Sequence, residues 1–382
     1  MKRIYLDNAA TTPVRPEVVE AMVPLLGAGY NPSSLHAEGR AARAAVDAAR
    51  ETVARVLGAA PREIVFTGGG SEADVLAIVG AARAHAGRRR HVVTTAVEHH
   101  AVLHAADLLE RDGRRVTRLP VDENGLLDLE AFAAALTPDT VLASVMLANN
   151  ETGTVQPVAR LAAIARERGV LFHTDAVQAA GWLPLGVDQL GVDLLSLSAH
   201  KFHGPKGVGV LYVRRETALE PLIVGGGQEH GLRAGTENVA GIVGFAAALA
   251  LAEAERAEAA PRVAALRDRL EAGILASIPD ARVNAAGAPR LPGHLSVGFA
   301  GTPSDALLIR LDLDGIAASA GSACAAGSLE PSHVVAALGV PEPYRTGVIR
   351  FSLSRANTEA EVDAVLAHLP ALVASVRTPL AV

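Results

Sequence analysis
Short β-branched runs alternate with helix-forming stretches from about Glu63 to Val213. The runs are Ile64–Phe66, His91–Thr94, Val116–Leu119, Val141–Met146, Val170–His173, Leu194–Leu197 and Val208–Val213. Helical patterns lie between several of them, at Ser71–His85, Leu129–Leu136 and Val158–Arg168. This alternation predicts a mostly parallel sheet with helices on both faces. A long Ala/Leu/Glu/Arg segment, Val239–Leu275, then reads as one helix or as two broken near Pro261. Beyond it the pattern changes. Short strands at His294–Phe299, Ile316–Ser319 and Val348–Ser352 mix with helices at Ser304–Leu311, Pro331–Leu338 and Thr358–Ala374, which predicts an α+β second domain. No internal repeat or low-complexity linker interrupts the chain.

Composition narrows the class. At 382 residues, half of them hydrophobic, the chain can build a large core and two domains. A net charge of −6 provides no basic field for nucleic acid. Arg88–Arg90 reads as a solvated loop. The longest apolar stretch, Val239–Ala252, is too short and too rich in Ala and Gly to span a bilayer. The N-terminus, Met-Lys-Arg-Ile-Tyr-Leu-Asp, lacks the apolar core of a secretory signal, so the cytoplasm is the default location.

Two side chains stand out against this background. Only three of the 35 lysines and arginines are lysines: Lys2, Lys201 and Lys206. A lysine kept in the Gly/His/Ser-rich segment Ser198–Gly207 is needed for its amine, because an amine forms a Schiff base and a guanidinium does not. Cys324, in Gly321-Ser322-Ala323-Cys324, is the only thiol, which excludes an internal disulfide and makes it a candidate nucleophile. An inert buried cysteine is the usual alternative.

Other motifs gather around Lys201. Thr67-Gly68-Gly69-Gly70-Ser71-Glu72 follows a strand and opens a helix, a place where free N–H groups meet anions. A plain glycine turn with Ser71 as the cap is the simpler reading. The run fits neither the Walker spacing nor the dinucleotide fingerprint. Asp175, at a strand end in His173-Thr174-Asp175-Ala176-Val177-Gln178, is either a helix cap or the partner of a protonated pyridine nitrogen. Gln178 would face the same side. Ser198 and His200 flank the lysine, near where a phosphate would sit. Glu98, His99, His100, His200 and His203 lack structural-zinc spacing, so an imidazole stacked on a cofactor ring is preferred over a metal site.

At this point the chain resembles the group I cysteine desulfurases, the type that supplies sulfur for iron–sulfur clusters and thiolated tRNA, within the class V aminotransferase family. The likeness runs nearly end to end. It is carried by Tyr5–Pro13, Asn31–His36, Glu98-His99, Asn149–Gly153, Asp175–Gln178, Ser198–Lys201 with Gly204–Gly207, Gly225–Glu229, Arg233–Asn238, Gly321–Cys324, Ser328–Ser332 and Arg350–Ser352. The lysine motif marks the wider family, and the Gly-Ser-Ala-Cys loop marks the desulfurases. The resemblance implies pyridoxal phosphate fold type I: a mostly parallel seven-stranded α/β sheet flanked by helices, with a smaller α+β C-terminal domain. Residues 1–250 would form the large cofactor-binding domain, and 251–382 the small domain carrying the cysteine loop. About residues 1–15 would pack with the small domain.

The resemblance also implies roles. Lys201 forms the Schiff base with pyridoxal 5'-phosphate, Asp175 pairs with its pyridine nitrogen and Gln178 bonds its ring hydroxyl. His99 stacks on the ring and shuttles protons. The backbone of Gly70, with Ser71, Ser198 and His200, holds the phosphate, and Thr236 reaches it from the second subunit of a homodimer. Arg350, assisted by Asn150 and with Asn31 in the same pocket, takes the carboxylate of L-cysteine. Cys324 takes the sulfur as a persulfide, leaving alanine, and hands it to a cluster scaffold or a tRNA-thiolation protein. No resident metal, nucleic-acid or membrane partner is implied; a cluster iron would contact Cys324 only transiently. Val75 stands where the family usually has Asn, and His230 where Arg is common. The chain ends at Val382, without the longer tail by which some relatives dock a scaffold. Competing readings are a transaminase, a selenocysteine lyase, a cysteine-sulfinate lyase, or a non-catalytic binding subunit, the last opposed by intact Lys201, Asp175, Arg350 and Cys324.

Overall fold
The computed structural model describes residues 3–28, 30–87, 89–321 and 331–377. A two-residue strand, β1 (Ile4–Tyr5), comes first. The β-branched runs then become β2 (Ile64–Thr67), β3 (His91–Thr95), β4 (Arg115–Leu119), β5 (Thr140–Ser144), β6 (Leu171–Asp175), β7 (Leu194–Ser198) and β8 (Gly209–Val213). They form one seven-stranded sheet in the order β2-β8-β7-β6-β5-β3-β4. Only β8 runs against its neighbours, pairing antiparallel with both β2 and β7. The connection from Ser198 to Gly209 is too short for a crossover helix, so the chain must turn back on itself. β5 stops two residues before the expected Met146, whose N–H turns instead to the Glu98 carboxylate at 3.0 Å.

The helix expected over Ser71–His85 begins at Gly70 and contains a π-helical turn, Leu76–Gly80, before closing at Ala81–Ala84. The backbone at Glu220 packs against the end of this turn. The Gly80 carbonyl accepts from Glu220 N at 3.1 Å, and a Cβ on Gly80 would lie 2.8 Å from the Glu220 carbonyl oxygen. The segment around Pro261 is a single unbroken helix, Val239–Ser277. Pro261 forfeits a hydrogen bond to the Ala257 carbonyl, but both residues are exposed, so water replaces it. Packing holds each half. Val239, Ile242, Phe245 and Leu249 join the core under the large sheet, whereas Val263, Leu266, Leu270 and Ile274 join a second core.

That second core sits on a three-stranded antiparallel sheet of β9 (Ala281–Val283), β10 (His294–Phe299) and, after the short β11 (Ile316–Ala317), β12 (Val348–Ser352), with β10 central. β1 pairs in parallel with β11, and Ile4 and Leu6 are buried in the second core. The chain thus starts among its last elements before entering the large sheet. The helices Pro16–Ala28, Ala37–Leu57 and His100–Arg111, and β9, were not among the predicted elements.

Candidate active site
β6 and β7 lie side by side and parallel, so their carboxyl ends deliver Asp175 and Ser198-Ala199-His200-Lys201 to neighbouring points. In an open α/β sheet this edge is where ligands bind. Asp175 is 5% exposed, and its Oδ1 accepts from Val177 N at 2.9 Å. The Lys201 Nζ donates to the carbonyls of Ala9 at 2.6 Å and Ala10 at 2.8 Å. Gln178 Nε2 donates to the same Ala9 carbonyl at 2.9 Å. The segment between β1 and Thr12 therefore runs along the cavity beside the lysine.

From β2 the chain passes Gly68-Gly69 into the helix at Gly70. A Cβ on Gly70 would lie 2.8 Å from Val177 Cγ2 and 3.2 Å from Ser198 Cβ. Glycine is what lets this backbone press against both the β6 and β7 ends. β12 supplies Arg350, 1% exposed, from the small sheet. Its Nη2 donates to Asp7 Oδ1 at 2.8 Å and its Nη1 to the Asn150 carbonyl at 2.9 Å. Its Nε has no hydrogen-bond partner among the described residues.

One cavity of about 280 Å³ brings together Gly70, Ser71, His99, Asn150, Asp175, Gln178, Ser198, His200, Lys201 and Arg350. Asn31 and Thr236 are exposed and do not line it. Asn31 Oδ1 instead accepts from Ser33 N at 2.9 Å. Cys324 lies outside the described residues. A larger cleft of about 530 Å³ opens elsewhere, between the N-terminal segment and the long helix. Its Arg15 and Arg355 both pair with Glu255 at 2.6–2.7 Å, and its lining holds no lysine amine beside a carboxyl. The smaller cavity is therefore the candidate site.

Electrostatics separate the charged from the neutral groups. Burial holds His99 down to about 4, with Lys201 adding to the shift, so the ring is neutral near pH 7. His99 caps the helix His100–Arg111, accepting from Ala101 N at Nδ1 over 3.1 Å. His200 is likewise held to about 4 by burial and Lys201, and its Nδ1 lies 3.1 Å from Thr11 Oγ1. Burial raises Asp175, against the pull of the Val177 N–H and Lys201. Asp74 also lines the cavity and is raised by burial and by repulsion from Asp175. Its Oδ1 has no hydrogen bond among the described residues and lies 3.7 Å from His173 Nε2. Glu98 is pushed up to about 8 by burial despite hydrogen bonds from Thr95 and Met146.

Sequence reasoning assigned no role to Asp74, Asp7 or the Ala9 and Ala10 carbonyls. Asp74 had a signal: it stands four residues from Gly70, on the same helix face. The contacts of Asp7 and Ala9 span more than 160 residues and had no local one.

The residues present fit a pyridine-type cofactor. Buried Asp175 calls for a cation, which a protonated ring nitrogen supplies, and an amine stands at the adjacent strand end. The glycine cradle at Gly70 lies against Ser198, as an anion site built from backbone and hydroxyls requires.

A seven-stranded sheet with a lysine and a buried aspartate at adjoining strand ends defines a cofactor-dependent enzyme of α/β type, and the chain belongs to the class V aminotransferase family, whose pattern it matches over residues 4–365. It is similar to a cysteine desulfurase of Cereibacter sphaeroides, at 52% identity over 382 residues covering 99% of this chain and 97% of the relative. It is also similar to the cysteine desulfurase IscS of Dictyoglomus turgidum, at 47% identity over 380 residues covering 99% and 96%. Among solved structures, a NifS-like protein superposes with a TM-score of 0.91 at 40% identity, over 98% of this chain and all of the other.

Proposed function
We propose that this chain is a pyridoxal-phosphate-dependent cysteine desulfurase that moves sulfur from L-cysteine to Cys324. The observation that carries this reading is the meeting of Lys201, Asp175 and Arg350 in one cavity, drawn from the turn after β7, from β6 and from β12. Residues 1–250 would hold the cofactor, and 251–382 would bring Arg350 and the cysteine loop to it. Lys201 would hold the cofactor through its Nζ, Asp175 would face the ring nitrogen, and Gln178 would face the ring hydroxyl. His99 would cover the ring. Gly70, Ser71, Ser198 and His200 would hold the phosphate, joined by Thr236 of the partner subunit of a homodimer. Bound there, pyridoxal phosphate supplies an electron sink that weakens bonds around the substrate's amino-bearing carbon.

The chain's own groups do the rest. Arg350 lines the cavity with Asn150 beside it, and its guanidinium would take the carboxylate and so orient the amino acid. The Lys201 Nζ moves protons on the substrate carbons, while neutral His99 can accept one. The Cys324 thiolate then takes the sulfur. The carbon–sulfur bond breaks, a sulfur–sulfur bond forms, and the carbon gains a proton. Cysteine and a thiol enter, alanine and a persulfide leave, and no outside oxidant is needed.

The ends of the cysteine segment support this assignment. Ser332 Oγ donates to the buried Glu151 Oε2 at 2.6 Å, and Gly321 abuts the same carboxyl oxygen, where a Cβ would lie 2.6 Å away. Both ends thus lie against the residue that follows Asn150 of the cavity, and the Ser332 end is hydrogen-bonded to it. We place the enzyme in the cytoplasm, passing sulfur to an iron–sulfur scaffold or a tRNA-thiolation acceptor. Among the described residues no helix is long and apolar enough to cross a membrane.

The test compares the parent with Cys324→Ser. Both should be yellow, with borohydride fixing the cofactor to Lys201. The parent should produce alanine from cysteine and show added sulfur on the Cys324 peptide. The Ser variant should lose nearly all turnover, since a hydroxyl does not replace a thiolate at neutral pH. Alanine release at the parent rate by the Ser variant would make Cys324 structural and point to a lyase for another sulfur or selenium substrate.

A further inference from the structure
His294 takes no part in the chemistry above, yet it is 3% exposed and neither of its ring nitrogens has a hydrogen-bond partner among the described residues. It opens β10 opposite Ser352, on the sheet face that also carries Arg350 two residues along β12. Burial holds its pKa down to about 3, with Arg350, Lys201 and Arg267 adding to the effect. The neutral ring therefore presents one N–H and one lone pair, both without a partner among the described residues. Buried polar atoms left in this way are costly, and ordered water normally meets them.

The surroundings show where a water would fit. The backbone of Gly153, at φ +79°, presses on one side of the residue; a Cβ there would lie 2.4 Å from His294 Cβ. Elsewhere His294 lines a chamber of about 10 Å³, the space of roughly one water. Lys201 and Gln178 line both this chamber and the candidate active site. Asn8, His203 and Arg355 line both the chamber and the larger outer cleft. The chamber thus stands behind Lys201, between the reaction cavity and solvent.

We propose that His294 holds one water against Lys201, and that protons pass through this water between the lysine amine and the outer cleft during turnover. His294 is a positioning residue in this scheme. Only N–H and O–H bonds exchange, so no electrons move and the proton taken from one side is returned at the other. The inference rests on the desulfurase reading above.

The test uses holoenzyme of the parent, His294→Leu and His294→Gln, assayed for alanine from cysteine in H₂O and D₂O. Leu offers no polar atom; Gln offers a donor and an acceptor, as imidazole does. The Leu variant should lose roughly tenfold or more in kcat, a modest share of what acid–base assistance provides. Its KM and cofactor absorption should stay at parent values, and its solvent isotope effect on kcat should grow. The Gln variant should regain most of the parent kcat. A Leu variant with parent kcat and parent isotope effect overturns the proposal. So does an equal loss in both variants with an unchanged isotope effect, which makes His294 a packing residue. If the Leu variant does not fold, the Gln variant decides alone: near-parent kcat supports the relay, and a tenfold loss overturns it. A parent that makes no alanine would instead sink the desulfurase reading.

Discussion
A guanidinium with 1% exposure needs its charge answered, and Arg350 is answered by Asp7 and the Asn150 carbonyl. The side chain also lines the candidate cavity, so replacing it should weaken binding more than it disturbs the cofactor. We expect Arg350→Ala to raise KM for cysteine roughly ten- to hundredfold, from a charge-assisted bond of about 1.5–3 kcal/mol. The cofactor absorption band should persist. An unchanged KM in steady-state assays would move the carboxylate site elsewhere. Legibility at this scale followed chemistry that is rare in the chain. Lys201 and Cys324 stood out because almost every other cation is arginine and every other thiol is missing. Asp7 and Asp74 did not stand out, because one carboxylate among 41 acidic residues gains meaning only from what folding places beside it. Asp74 gains it from burial beside Asp175, and Asp7 from a strand more than 340 residues away.

The β-branched runs were legible as strands because period and residue type agree there, and each strand lies within two residues of the expected bounds. The helix Ala37–Leu57 was harder to see. Its buried face is Ala42, Val46, Ala49, Arg50, Val53, Ala54 and Leu57, and alanine contrasts weakly with its polar neighbours. Arg50 on that face looked polar, yet it is buried. Its Nη1 and Nη2 donate to Glu229 at 2.8 and 2.7 Å, and Glu229 also accepts from Phe66 N at 2.8 Å. This pair ties the helix and β2 to the loop after β8. Removing one partner strands a buried charge, so Arg50→Ala should cost roughly 3–5 kcal/mol of stability. Urea melts should show the loss, and a double Arg50→Met, Glu229→Gln variant should recover part of it. A loss under about 1 kcal/mol in the single variant would mean that the pair is solvated in solution. The break suspected at Pro261 shows the opposite limit: a local rule was overridden because two separate cores hold the helix on either side.

Over the whole molecule, buried ionisable groups set how stability follows pH. Eight described histidines are lowered, among them His173 and His294 to about 3 and His99 to about 4. Five described carboxyls are raised, Glu98 to about 8, with Asp74, Glu151, Asp175 and Asp193 also shifted upward. Burial leads the causes in every case. The two sets act with opposite sign. A lowered histidine is neutral in the fold but binds a proton when unfolded below about 6.5, so its contribution is lost as pH falls from there toward its folded value. A raised carboxyl keeps its proton in the fold while the unfolded chain gives it up above about 4.5, so its contribution shrinks as pH rises, up to about 8 for Glu98. Below 6.5 both act, and the histidines prevail by number. Above 6.5 the histidines are neutral in both states, and only the carboxyl effect remains. Cofactor-free protein should therefore be most stable near pH 6.5, losing stability toward pH 5 and, less steeply, toward pH 8. Thermal melts at pH 5, 6.5 and 8 in one ionic strength decide this. A melting temperature that climbs from pH 6.5 to 8 would mean that Glu98 and Asp74 are already ionised in the fold.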